Sequence, residues 1–294
     1  MKRLWRILGL LLIVLLLAFV LQRRRSIEQH PWFDQFNSYP LVIAHADDTG
    51  QGLWPGNTML FLESVAEIGV DVLEMDAHMT RDGHVVLMHD DTVDRTTNGA
   101  GLISNMTLEE IKAFEVGGNW TQDDGATYPY IGQGLQVPTV EEVFQRFPDY
   151  PMVIEIKQDT PSMADPFCAL IRQYGMSEKV LVPSFSDQAI NEFRAACPEV
   201  ATAASGDEVR SFVIANFLLA TNLLNPAYQA FQVPEGSGGI PVVIPHFVNS
   251  AQDHNLQVHI WTINDADDMK RFLEMDVDGI MTDRPDILLE ILGR

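Results

Sequence analysis

Short apolar runs in this chain repeatedly end in titratable side chains. LVIA is followed by His45, DVL runs into Glu74 and Asp76, VVLM ends in His89, MVI runs into Glu155 and Lys157, and VHI ends in Trp261. Side chains at i and i+2 of a strand share a face, so Glu74 with Asp76, and Glu155 with Lys157, form two pairs that each point one way. Three carboxylates brought together repel and resist joint ionisation unless a cation neutralises them. All-oxygen ligation suits a hard divalent ion, Mg²⁺ or Ca²⁺, rather than zinc. Two histidines supply a proton acceptor and a donor that titrate near neutrality. A lysine beside the third carboxylate offers a point charge to an anion, most naturally a phosphate. Glu74, Asp76 and Glu155 on a metal, His45 and His89 as acid and base, and Lys157 on phosphate would make a site for phosphoryl transfer.

Something must gather those strand ends. Strands are predicted at 41–45, 71–76, 84–89, 152–157, 180–185, 199–204, 257–262 and 279–283. Stretches of helical period lie between most of them, at 58–69, 139–147, 163–174, 187–196, 207–219, 246–255 and 265–275. Eight strands alternating with helices match a (β/α)₈ barrel, whose active sites lie at the C-terminal ends of its strands. A doubly wound open sheet is the alternative, but no glycine-rich phosphate turn marks a switch point. A Gly-rich stretch over about 98–137 interrupts the rhythm after the third strand and is expected to be a small insertion.

The remaining features bound the answer. The 294 residues carry a net charge of −22, but the first 27 hold six cations and no acid, so the rest sets 13 Lys and Arg against 41 Asp and Glu. A domain that acidic repels nucleic-acid phosphates. Residues 7–21 contain no charge, and Arg23, Arg24 and Arg25 follow directly where a cleavage site would need small residues. This predicts a single-pass signal-anchor over 4–22 and a linker over 23–38, with the domain over 39–294 leaning to the extracytoplasmic side. Cys168 and Cys197 are too few for a disulfide scaffold, and they read either as one bridge or as two buried thiols. His78 continues the face of Glu74 and Asp76 but reads as structural, bonding the turn that follows. His84, His246, His254 and His259 read as surface or core, and TTNG at 96–99 as a turn. Trp261 would either fill the core or wall a pocket.

The stretch GVDVLEMDAHMTRDGHVVLMHDDTVDRTTNGAG at 69–101 resembles the signature of the glycerophosphodiester phosphodiesterase family. LISNMTLEEIK, VPTVEEV, IEIK, PSF, WTIND and VDGIMTDRP follow in the same order. The resemblance covers about 41–290. It implies a TIM barrel of the phospholipase-C-like phosphodiesterase type, and metal-dependent hydrolysis of glycerophosphodiesters to glycerol 3-phosphate and an alcohol. Carried over position by position, Glu74, Asp76 and Glu155 are metal ligands, His45 and His89 the acid/base pair, and Lys157 a phosphate contact; which histidine is base and which acid stays open. Phe185 of PSF and Trp261 are the remaining substrate-contact candidates.

Two departures stand out. The family's Arg-Gly after the first histidine is Ala46-Asp47 here, and its Pro-Glu-Asn-Thr is Pro55-Gly56-Asn57-Thr58. Phosphate would then depend more on metal and Lys157, with Asp47 and Asp48 adding negative charge nearby. Part of 69–101 is also similar to the membrane-bound lysophospholipase D branch, which makes a lysophospholipid the alternative substrate. The rival from another class is a catalytically silent headgroup-binding membrane protein, supported by the missing Arg and Glu alone.

Overall fold

The computed structural model describes residues 26–294 together with Gly9 and Leu11. The expected signal-anchor therefore lies outside the described residues, save for Gly9 and Leu11, which are helical. Among the described residues no helix is long and apolar enough to cross a membrane.

Among the described residues eleven strands form in chain order: β1 Leu41–Ala44, β2 Val72–Met79, β3 Val85–Leu87, β4 Met152–Ile156, β5 Val180–Val182, β6 Ala201–Thr202, β7 Ala230–Pro234, β8 Gly236–Ser237, β9 Ile240–Pro241, β10 Gln257–Trp261 and β11 Gly279–Thr282. Eight of them pair in parallel in the order β6-β5-β4-β2-β1-β11-β10-β7. A bridge between Ala203 and Ala230 joins the two ends of that row. The result is the expected barrel, but not with the expected eight staves.

The run at 84–89 is not a stave. It returns antiparallel on β2, pairing Ala77 with Leu87 and Met79 with Val85. The eighth stave is instead β7, AFQVP, whose Gln232 and Pro234 hide its strand character. The insertion thus leaves the barrel between its second and third staves. It carries its own small core, in which Ile103, Ile111, Val116 and Val137 pack against Val86 and Met88 of the hairpin.

Alternation along each stave divides the molecule. On β2, Leu73, Met75 and Ala77 face the helical shell, whereas Val72 faces the barrel interior. The helices are α1 Met59–Glu67, α2 Leu108–Lys112, α3 Val140–Arg146, α4 Ala164–Tyr174, α5 Asp187–Ala196, α6 Gly206–Phe217, α7 Pro245–Gln252, α8 Ala266–Leu273 and α9 Pro285–Leu292, of which α2 belongs to the insertion and the rest to the shell. Several begin where side chains dictate it: Thr139 with Glu142 and Ser205 with Glu208 form reciprocal capping boxes that satisfy otherwise orphaned amides. Cys168 on α4 and Cys197 just past α5 are bridged.

The stretch expected as a linker is folded from Ile27 onward. A short 3₁₀ turn at Pro31–Phe33 drives Trp32 into the N-terminal end of the barrel against Leu41, Ile43 and Val153. Its indole nitrogen donates to the carbonyl of Lys179 at 3.1 Å.

Candidate active site

At the opposite end, the strand termini surround a cavity of about 770 Å³. His45, Glu74, His89, Glu155, Lys157, Phe185 and Trp261 all line it. Asp76 lies just beneath, 2% exposed, with Lys157 over it. The structure therefore brings all eight predicted side chains to one mouth.

The hairpin explains how His89 arrives. β2 overshoots the rim, turns at Gly83, and β3 carries the chain back until the Met88 amide donates to the Asp76 carbonyl at 3.0 Å. His89 thus returns to the level of the carboxylates. Buried His78 faces the His89 carbonyl at 3.4 Å, across the hairpin rather than at the turn where its bond was expected. Burial holds its pKa below the ordinary histidine value.

The carboxylates are held by name. Glu74 accepts from the Ala46 amide at 2.7 Å. Asp76 accepts from the Asn57 side-chain amide at 2.9 Å, and the Asn57 side-chain oxygen accepts from the Asp76 amide at the same distance. The Lys157 ammonium sits 3.1 Å from Asp76 and 3.0 Å from Glu155. The other oxygen of Glu155, Oε1, is buried without a partner. Burial, and then the charge of Asp76, push the Glu74 carboxyl up to about 8. Burial likewise raises Glu155, although Lys157 opposes it. One ammonium does not balance three buried carboxyl groups.

That imbalance is the test of fit for a metal. An all-oxygen donor set, an orphaned buried carboxylate oxygen and carboxyl groups forced upward are what a hard divalent cation would relieve. The oxygens are not gathered about a single point as they stand, because Lys157 occupies the space between Asp76 and Glu155. Among the described residues, the one tightly gathered set of potential ligands is Cys168, Cys197 and Glu199, but its sulfurs are bonded to each other.

Each histidine has a carboxylate behind it. His45 Nδ1 lies 2.6 Å from buried Asp283, which also accepts from the Asn264 side-chain amide at 2.6 Å. Burial works against an imidazolium at His45, but Asp283 and the charge of Glu74 outweigh it and lift its pKa to about 9. His89 Nδ1 lies 2.8 Å from Asp90, and Arg95 clamps Asp90 to Asp48 with bonds of 2.7–2.8 Å.

Those contacts show how the loop after His45 holds its acids. Asp48 shares the single charge of Arg95 with Asp90, and the Asp47 carboxylate accepts from the amides of Thr49, Gly50 and Gly52 and the Thr49 hydroxyl. These neutral donors hold Asp47 in place without cancelling its charge. The two departures also touch each other: the Gly56 amide donates to the Asp47 carbonyl at 2.6 Å, and a Cβ on Gly56 would lie 2.2 Å from the Ala46 backbone. A glutamate at 56 does not fit this loop.

Asp283, Asn57 and the Arg95 clamp were not singled out from the sequence. Asp283 ends a strand and was within reach of the strand-end rule; Asn57 lies in a loop with no period to betray it. The apolar flank of the cavity, with Val209 and Val213 of α6 facing Ile240 and Val242, belongs to the overlooked β7 and its neighbours. Of the histidines set aside, His84 and His246 are exposed, and His254 and His259 are buried. Burial lowers His259 to about 3.

The model of the glycerophosphoryl diester phosphodiesterase family matches residues 50–287, most of the chain. The chain belongs to that family. It is 30% identical over 262 residues to a glycerophosphodiester phosphodiesterase of Caldanaerobacter subterraneus subsp. tengcongensis, covering 86% of this chain and 98% of that one. A lysophospholipase D of Rattus norvegicus is 24% identical, with 85% of each chain covered. Among solved structures, a phosphodiesterase of Oleispira antarctica in complex with the product sn-glycerol-3-phosphate superposes with a TM-score of 0.67 at 22% identity, over 90% of this chain and all of that one. A glycerophosphodiester phosphodiesterase of Agrobacterium tumefaciens gives 0.69 at 21%, over 87% and 100%. Family membership makes the chain a phosphoric diester hydrolase of the glycerophosphodiester phosphodiesterase type, not a silent binder.

Proposed function

We propose that the protein hydrolyses glycerophosphodiesters to glycerol 3-phosphate and an alcohol, with a divalent cation, Mg²⁺ or Ca²⁺, held by Glu74, Asp76 and Glu155. The observation that carries this reading is the orphaned Glu155 oxygen in an under-neutralised carboxylate cluster flanked by two carboxylate-backed histidines. The cation would supply positive charge to the phosphoryl oxygens. Asp283 fixes the ring of His45, leaving Nε2 free to take a proton from the attacking hydroxyl, either water or the glycerol's own. A new P–O bond forms, the bond to the alcohol breaks, and His89 gives a proton to the leaving oxygen. Attack by water yields glycerol 3-phosphate directly, whereas attack by the glycerol hydroxyl yields a cyclic phosphate that a water must then open. Lys157 holds the phosphate, and Phe185 and Trp261, rings 5.7 Å apart and edge-on, flank the alcohol. The product named for the Oleispira antarctica structure is consistent with this reading.

The apolar flank formed by α6 and the β8–β9 hairpin favours a second substrate, a lysophospholipid, whose chain it would cover. The likeness to a lysophospholipase D points the same way. For location, the uncharged run at 7–21 supports a single-pass anchor, and the Cys168–Cys197 bridge supports an oxidising, extracytoplasmic compartment.

The test is incubation with glycerophosphocholine and, separately, lysophosphatidylcholine, with EDTA and then with Mg²⁺ or Ca²⁺ restored. Metal-dependent glycerol 3-phosphate is expected from the first substrate, and lysophosphatidic acid from the second would establish the alternative. Turnover that survives EDTA would overturn the metal assignment.

A further inference from the structure

The end of the barrel remote from the mouth carries an apolar ridge. Ile214 and Phe217 of α6 and Leu218, Leu219 and Leu223 after it are each 55–72% exposed. No charged residue occurs between Arg210 and Glu235, in a domain otherwise dense with acids. Leu219 adopts φ +54° at the end of the helix, a position that glycine usually takes. A contiguous exposed patch of large apolar side chains marks an interaction surface.

Topology fixes where this surface lies. Shell helices run back from the mouth, so α6 borders the cavity through its first two turns, to Val213, and its last turn leads to the N-terminal rim, where β7 begins. The N-terminal segment reaches the fold at the same rim. The Ile27 amide donates to the His254 carbonyl at 3.0 Å, and Asn255 donates to the Ile27 carbonyl at 3.1 Å. The His254 ring stands 6.0 Å from Phe212 of α6. The uncharged run of the sequence ends at Leu21, six residues before that pin, a reach of roughly 20 Å at full extension.

We propose that this rim is a membrane-docking surface and that its occupant is the lipid bilayer. The ridge seats in the interfacial zone, as exposed apolar faces do. The barrel then stands on the bilayer with its mouth turned to water. It follows, resting on the phosphodiesterase reading above, that substrate reaches the mouth from the aqueous side, which bears for the dissolved diester and against the lysophospholipid alternative.

The full chain, reconstituted into phosphatidylcholine bilayers, tests this. Single variants Leu218→Cys, Leu223→Cys and, at the mouth-side insertion, Ile131→Cys would carry a fluorescent label, the native cysteines being bridged. Phosphatidylcholine brominated on its acyl chains should remove most of the fluorescence at 218 and 223 and leave 131 unchanged. Quenching at 131 alone, or equally at all three, would overturn the orientation. Absence of quenching at 218 and 223, as when the N-terminal run or another protein covers the ridge, would overturn the docking. The readout is independent of turnover, so loss of the phosphodiesterase reading would leave it intact.

Discussion

Protons on His45 and Glu74 stand where a cation would act. Both groups hold a proton more tightly than usual, to about 9 and about 8: at His45 the Asp283 bond and the charge of Glu74 outweigh burial, and at Glu74 burial acts first and the charge of Asp76 second. A divalent ion among Glu74, Asp76 and Glu155 would remove that support, so binding should expel protons and tighten as pH rises towards 9. Calorimetry of Mg²⁺ binding in buffers of different ionisation enthalpy measures the release; heats identical in all buffers would contradict it. The same shifts set a stability profile. Folded values above the unfolded ones mean that the folded protein binds more protons, so the contribution of Glu74 should be lost as pH rises from 4.5 to about 8 and that of His45 from 6.5 to about 9, and metal-free stability should fall above pH 6.5. The buried His259 acts oppositely, its contribution growing as pH rises from about 3 to 6.5 and offsetting part of the Glu74 loss there. Urea unfolding across that range, with and without saturating Mg²⁺, reads both arms. Asp283→Asn is a sharper probe. It should lower kcat on the order of 10²–10⁴-fold with little change in KM, and move the acidic limb of the pH profile to lower pH, since Asp283 raises the His45 pKa. Of these residues, the ones at strand ends were legible in the sequence because termination of an apolar run is a local signal. Asp283 is 238 positions from His45, and only the closed barrel makes them neighbours.

Elements with a clear period were legible almost to their ends, as α5 shows: expected at 187–196, it spans Asp187–Ala196. The two strand errors have one physical cause. Local pattern reports that a run is extended, but not which partner it finds, so VVLMH read as a stave although it folds back on β2. AFQVP was passed over because Gln232 faces the barrel interior, where it approaches the ring of His259, and breaks an apolar run. The loop of 46–56 shows the same limit at closer range. Its unusual Ala46 and Gly56 read as two lost side chains, whereas the fold joins them in one backbone contact. Gly56→Ala should therefore cost roughly 1–3 kcal/mol by overpacking, measurable by chemical denaturation. An unchanged midpoint would mean that the loop yields freely, and that the contact does not hold the Ala46 amide against Glu74.

At the scale of the molecule, the barrel separates its tasks by end. The carboxylates, histidines and Lys157 occupy the mouth, while the opposite end is closed by Trp32, fully buried among apolar residues of the staves. PWFDQF has no strand or helix period, so nothing in the sequence distinguished this plug from a linker; its role exists only once the barrel is there to receive it. Trp32→Ala should cost about 3–5 kcal/mol, the loss of a large buried aromatic with a cavity left behind. That is a large fraction of a typical domain's 5–15 kcal/mol. The indole bond to Lys179 adds a tie between the N-terminal segment and the start of β5. Because the plug lies at the far end from Lys157, kcat and KM measured well below the melting temperature should stay close to those of the unaltered protein. A variant that kept its melting temperature would show that the N-terminal segment merely rests against the barrel. One that lost kcat while folded would show that the interior layers transmit the change to the mouth, and the separation of ends argued here would fail.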